Sequence, residues 1–213
     1  MRNVAVSGAT SGKTNIVALI PAYKSVEMTG VASQIDQLEK EGARLGQTDL
    51  VLLWTGSNDI FGVSRSDRPL LDRRIAQSVR DIEAAVDRLH ALGARRFVIG
   101  NRTPRESLGT ENDQNGVDLN AAIIKTVQTL NQRMKADIRV FDAYASIAHM
   151  MQNPAQYGFT EVGKQCWQTP ACADDKYEGG LPLASKYINW DAAHKTTRVH
   201  KLMADQVQQM LQK

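Results

Sequence analysis

This 213-residue sequence is notable first for what it does not contain. No apolar stretch approaches the roughly 20 residues that a bilayer-spanning helix requires, which excludes a helical membrane span. No run of Lys or Arg stands out. The 26 basic side chains against 23 acidic ones leave +3, a slight excess and not a basic surface, so nucleic acid is not an expected partner. Internal repeats and low-complexity segments are missing, which excludes collagen, coiled coil and disordered tail. His149 and His200 have no Cys, Asp or Glu at ligand spacing, so a metal site is not expected.

Cysteine is scarce too. Two residues, Cys166 and Cys172, cannot make a disulfide scaffold, but their spacing in a polar loop permits one local bridge. A bridge would point to an oxidising compartment; two free thiols stay open as the alternative. No signal peptide precedes Met1-Arg2-Asn3-Val4. The expectation is a cytosolic protein, or a chain that begins downstream of another segment.

What is present is an alternation of two periods. Asn3–Val6, Leu50–Trp54, Arg96–Ile99 and Ile138–Phe141 are short apolar runs, predicted as strands. Continuous apolar runs suit parallel strands covered on both faces. Helical spacing appears in Val31–Leu45, in Leu71, Ile75, Val79, Ile82, Val86 and Leu89 up to Gly93, and in Val117–Met134. It returns in Tyr144–Met151 and in Val199–Met210. The order predicts an α/β domain over residues 1–213, a parallel sheet with helices on both faces. Residues 152–186 have no clear period and are expected to form a long substrate-covering loop.

In open parallel sheets, ligands bind beyond the carboxyl ends of the strands. Ser7-Gly8-Ala9 follows the first run, Gly56-Ser57-Asn58-Asp59 the second, and Asp191-Ala192-Ala193-His194 lies near the C-terminus. That inventory suits acyl transfer, which needs a base, a carboxylate to orient it and donors for an oxyanion. His194 is the candidate base and Asp191 its orienting acid. The Gly8 amide and the Asn58 side chain are the candidate oxyanion donors. Each signal has an ordinary alternative: a turn glycine, a helix-capping Asn58 or Asp59, a capping Asp191 before a surface His194. A second Asp-x-x-His, Asp87–His90, falls within a helical stripe and reads as a solvated pair.

Taken together, these blocks resemble the GDSL/SGNH hydrolases. Leu52-Leu53-Trp54-Thr55-Gly56-Ser57-Asn58-Asp59 is similar to the family's Gly-x-Asn-Asp block, and Asn3–Ala9 to its glycine block. Trp190–His194 is similar to the family's terminal Asp-x-x-His block. Leu92–Arg96 agrees as well, and Asn153–Phe159 with a following Cys resembles the branch of secreted bacterial phospholipases and thermolabile haemolysins. The resemblance implies a flavodoxin-like three-layer α/β sandwich and a serine esterase acting on carboxylic or lipid esters without a cofactor. It implies Asp191 and His194 as acid and base, Gly8 and Asn58 as the oxyanion hole, and a secreted or periplasmic protein.

The family's Gly-Asp-Ser block, which carries the nucleophile, occurs nowhere in this sequence. The expectation is therefore a fold lacking the family's first strand, which lies between the strands matching Asn3–Val6 and Leu50–Trp54. A separate N-terminal fragment or a partner chain would complete the sheet. Two alternatives remain: an inactive relative serving as a binding module, or Ser7 or Ser11 as substitute nucleophile. A distant rival is a P-loop, because Ser7–Thr14 nearly matches Gly-x4-Gly-Lys-Ser/Thr, though Pro21 interrupts the helix that should follow.

Overall fold

The computed structural model describes residues 1–20, 28–105, 107–173, 177–178 and 181–212. Pro21 and part of the 152–186 segment lie outside them. The chain forms two compact units. One comprises Met1–Arg102 and Gln114–Phe141, the other Thr103–Asp113 and Asp142–Lys213.

The first unit is an α/β body. Helix α1 (Val31–Lys40) precedes strand β1 (Leu50–Trp54). Helix α2 (Arg68–Ala91) leads to β2 (Arg96–Gly100), and α3 (Glu111–Arg133) to β3 (Asp137–Phe141). The strands pair in the order β1-β2-β3, all parallel, with Leu52 opposite Val98 and Val98 opposite Arg139. Parallel neighbours need a crossover, and α2 and α3 supply it. This is the parallel α/β architecture expected from the alternating periods.

Local chemistry sets the element ends. The Asp67 carboxylate accepts from Leu70 N (3.1 Å) and Pro69 occupies the first turn, so α2 starts there. Its stripe, Leu71, Ile75, Ile82, Val86 and Leu89, is buried against Leu53, Phe97 and Ile99 of the sheet and Leu119, Ile123 and Leu130 of α3. Each such side chain contributes about 1.5–3 kcal/mol relative to an exposed position. Helix α3 begins six residues before the predicted Val117. Thr110 Oγ accepts from Asp113 N, and Asp113 accepts from Gly109 N, a polar start with no apolar period.

Asn3–Val6 forms no strand, contrary to expectation. Its hydrogen bonds are local, Ala5 N to Asn3 Oδ1 and Ala9 N to Val6 O, and no ladder joins it to β1 among the described residues. An apolar run becomes a strand only where a neighbour takes its backbone groups.

In the second unit, Asp142 caps α4 (Ala143–Gln152) through Ala145 N. Strand β4 (Glu161–Gln165) pairs in parallel with β7 (Tyr187–Asn189). Between them lie a short helix α5 (Pro170–Ala173) and the small antiparallel pair β5 (Tyr177–Glu178) and β6 (Leu181–Pro182). The 152–186 segment thus holds several short elements, among them a disulfide joining Cys166 to Cys172 at a Cα separation of 5.6 Å. Helix α6 (Thr197–Leu211) packs Val199 and Met203 inward. Met150 is fully buried, and His149 faces the Tyr157 hydroxyl at 2.8 Å, an ordinary surface pairing.

Candidate active site

Gly8 and Asn58 are brought together within the first unit. Asn58 Nδ2 donates to the Ala9 carbonyl at 2.8 Å, and Asn15 Nδ2 donates to Ser7 O at 2.8 Å. Gly8 takes φ +78°, and a Cβ there would sit 2.5 Å from Asn15 Oδ1, so only glycine fits the turn. Its amide has no hydrogen-bond partner among the described residues. Asn58 caps no helix. One of its two amide hydrogens is used by Ala9 O and the other has no acceptor among the described residues.

The pin beneath this loop is Asp59. Its carboxylate accepts from Ser11 N (3.0 Å) and Ser11 Oγ (2.5 Å), while Asp81 stands 3.4 Å from the same hydroxyl. Burial first, and the Asp81 charge with it, push the Asp59 carboxyl above the ordinary range, against the pull of the Ser11 bonds. Ser11 is 1% exposed and engaged in this pin, which removes it as a candidate nucleophile. Ser7 is exposed, and its hydroxyl has no hydrogen bond among the described residues.

The P-loop reading fails on the same loop. No strand precedes it and no α-helix follows Thr14 directly; a 3-10 turn occupies Val17–Leu19. The carbonyls of Thr10, Gly12 and Lys13 accept from Val31, Ala32 and Gly30, so the α1 amides that would hold a phosphate are taken. Lys13 pairs with Asp36 at 3.1 Å.

Asp191 and His194 meet in the second unit. His194 Nδ1 lies 2.7 and 2.9 Å from the two Asp191 oxygens, and Asp191 Oδ1 also accepts from the amides of Ala193 and His194, both at 2.7 Å. Burial opposes ionisation of Asp191. The ring and the two amides outweigh it, and the carboxyl sits below the usual value. The tautomer that donates from Nδ1 to Asp191 presents Nε2 as an acceptor, on a side chain 71% exposed. A ring held this way accepts a proton from a nucleophile and returns it to a leaving group.

A family model of GDSL-like lipases and acylhydrolases matches residues 2–207. The chain belongs to this family. It is similar to GDSL esterase/lipase At5g55050 of Arabidopsis thaliana, 27% identical over 239 residues, covering 95% of this chain and 62% of the relative. GDSL esterase/lipase 6 of the same organism is 28% identical over 225 residues, 87% of this chain and 59% of the relative. The chain spans about 60% of the length of these relatives.

The candidate site also includes residues that sequence reasoning missed. The Asp191–His194 turn is pinned at its base. Lys195 Nζ donates to Asn189 Oδ1 (2.6 Å) and to Arg105 O (3.2 Å), and Asn189 Nδ2 donates to Val162 O (2.6 Å). Trp190 N bonds to His194 O and Thr196 N to Ile188 O, closing the turn as a narrow hairpin. The disulfide-linked segment attaches here, through Trp167 N to the Trp190 carbonyl at 3.1 Å. A lysine next to His194 is buried only because its neighbours satisfy it, a pairing across sequence that no local pattern announces.

Proposed function

We propose that this chain carries the acid–base pair and oxyanion donors of a serine-type carboxylic ester hydrolase acting on acyl esters, those of phospholipids and lysophospholipids included. The single observation that carries the reading is the Asp191–His194 geometry, with Nδ1 against the carboxylate and Nε2 without a partner among the described residues, on an exposed ring. In the reaction, His194 Nε2 takes the proton of an attacking serine hydroxyl as that oxygen bonds to the ester carbonyl carbon. The Gly8 amide and the Asn58 side chain receive the resulting oxyanion. The tetrahedral intermediate then collapses, the C–O bond to the alcohol breaks, and His194 returns the proton to the departing alkoxide. Water, deprotonated by the same ring, frees the acid and restores the serine.

The serine is the one in a Gly-Asp-Ser block, which this sequence does not contain. The segment 152–186 covers the bound acyl chain. The disulfide supports a secreted or periplasmic location, because such bonds persist in oxidising compartments. A second reading, an inactive binding module, rests on the missing nucleophile alone.

The test is hydrolysis of p-nitrophenyl butyrate by the purified chain, with and without a polypeptide carrying an apolar strand that ends in Gly-Asp-Ser. Turnover is expected on addition of that polypeptide and is expected to fall at least ~10³-fold in His194→Ala. Asp191, held below its usual value by the ring and the two amides, stays ionised from pH 8 to pH 5, so the carboxylate that orients the ring is present throughout that range. Butyrate ester that binds the reconstituted chain without turning over, unchanged by His194→Ala, establishes the binding module instead.

A further inference from the structure

We propose that Lys195 is a positioning residue for the Asp191–His194 pair: its ammonium, clamped to Asn189 across the base of the turn, locks the register that keeps the ring proton on Nδ1. The inference rests on reading His194 as the base and adds the group that aims it. Asn189 and Lys195 face each other as an antiparallel bridge, and the residues between them, Trp190 to His194, form the turn. Both partners are withdrawn from water, Asn189 at 0% and Lys195 at 6% exposure. Lys195 Nζ donates to Asn189 Oδ1 and to the Arg105 carbonyl, and Asn189 Nδ2 donates to the Val162 carbonyl. One ammonium and one carboxamide thus tie β4 and the stretch at Arg105 to the foot of the turn.

A buried ammonium has a desolvation cost that an apolar side chain would avoid. What it adds is specificity of pairing. Methyl groups pack against many neighbours, whereas Nζ and Oδ1 meet in one register. The pair at the tip depends on that register. Trp190 N and Asp191 N both donate to His194 O, at 2.9 and 3.4 Å, and Thr196 N donates to Ile188 O at 3.0 Å. Asp191 Oδ1 takes the amides of Ala193 and His194 together with the ring Nδ1. A slip of one residue at the base would draw these donors away from the carboxylate, and the ring would lose the partner that fixes its tautomer. Lys195 therefore acts on the imidazole through the backbone of the turn.

The experiment records the ring ¹⁵N resonances of His194 in the full chain at pH 8.5, assigned by their loss in His194→Gln. The parent is expected to show one protonated and one unprotonated nitrogen, with the proton on Nδ1. Lys195→Met and Asn189→Ala break the same bond from opposite ends, and should one of them fail to fold, the other carries the reading. In each, the two signals should converge as the tautomers mix, and the amides of Trp190 and Thr196 should exchange at least ~10-fold faster. Lys195→Arg, which offers N–H groups to the same two acceptors, should restore both readings. Ile147→Ala, a cavity variant in α4, is the control for lost stability alone: its urea midpoint should fall while the parent's ring signals stay.

The proposal is overturned by a parent whose tautomers are already mixed, or by a folded bond-breaking variant that keeps the Nδ1 proton and the slow amides. It is also overturned if Lys195→Arg behaves as Lys195→Met, or if Ile147→Ala mixes the tautomers too. The readout needs no turnover. A chain that hydrolyses no ester, yet holds the Nδ1 proton and loses it with Lys195→Met, counts against the hydrolase reading and for this one.

Discussion

Strands β1 and β2 lie side by side in one parallel ladder and carry the same kind of sequence, Leu-Val-Leu-Leu-Trp beside Arg-Phe-Val-Ile-Gly. Their surroundings differ sharply. Phe97, Val98 and Ile99 are 1%, 0% and 1% exposed, covered on both faces and paired along both edges. In β1 only Leu53 is fully buried, and every second residue meets solvent. The difference comes from position. A central strand is closed by its neighbours on both sides, whereas β1 has a ladder partner on one side only among the described residues. Trp54 bridges the two cases. Its ring lies over Gly100 and meets Phe141 edge-on at 5.9 Å, extending a little of the buried face outward.

Mutations that separate the two strands test this account. Phe97→Ala should cost about 3–5 kcal/mol in urea unfolding, because the cavity it leaves is closed on all sides. Gly100→Ala is expected to cost about 1–3 kcal/mol and to shift tryptophan fluorescence. A Cβ there would stand 2.5 Å from the Trp54 ring, which must move. Asp59→Asn probes the loop beside β1. The folded state raises the Asp59 carboxyl above 3.8, so its ionised form costs stability at neutral pH, and that cost vanishes as pH falls through the raised value. The thermal stability of Asp59→Asn relative to the parent should therefore decline as pH is lowered from 7 toward 4. Leu52→Ser should change stability by no more than about 0.5 kcal/mol, since little of that side chain is withdrawn from water. A large loss there would mean that β1 is already covered, and the contrast with β2 would collapse.

These contrasts also show where the sequence was readable. Elements whose period reflects a buried stripe were legible to within a few residues: α2 from Leu71 to Leu89, α6 around Val199 and Met203, β2 and β3 from their apolar runs. Asn3–Val6 was misread because a strand depends on a partner, and composition does not record one. The start of α3 was missed because Glu111–Gly116 carries no apolar period. At the site, Asp191 and His194 were legible because one turn of four residues holds both groups. Asp59 with Ser11, and Lys195 with Asn189 and Arg105, were not. Their partners lie up to 90 positions away, and nothing in either local segment specifies the other.

That compact turn has a consequence for inheritance. Where a catalytic base and its orienting carboxylate sit on distant elements, any shift of one element detunes the pair, and each must be preserved against independent drift. Here a single hairpin of Trp190 to His194, closed by its own backbone bonds, carries the candidate pair, His194 and Asp191, and the amides that steady them. Insertions elsewhere move the pair as one piece without changing the proton that Nδ1 holds. The chain can lengthen, shorten or rearrange around this turn and still keep the imidazole and the carboxylate in register.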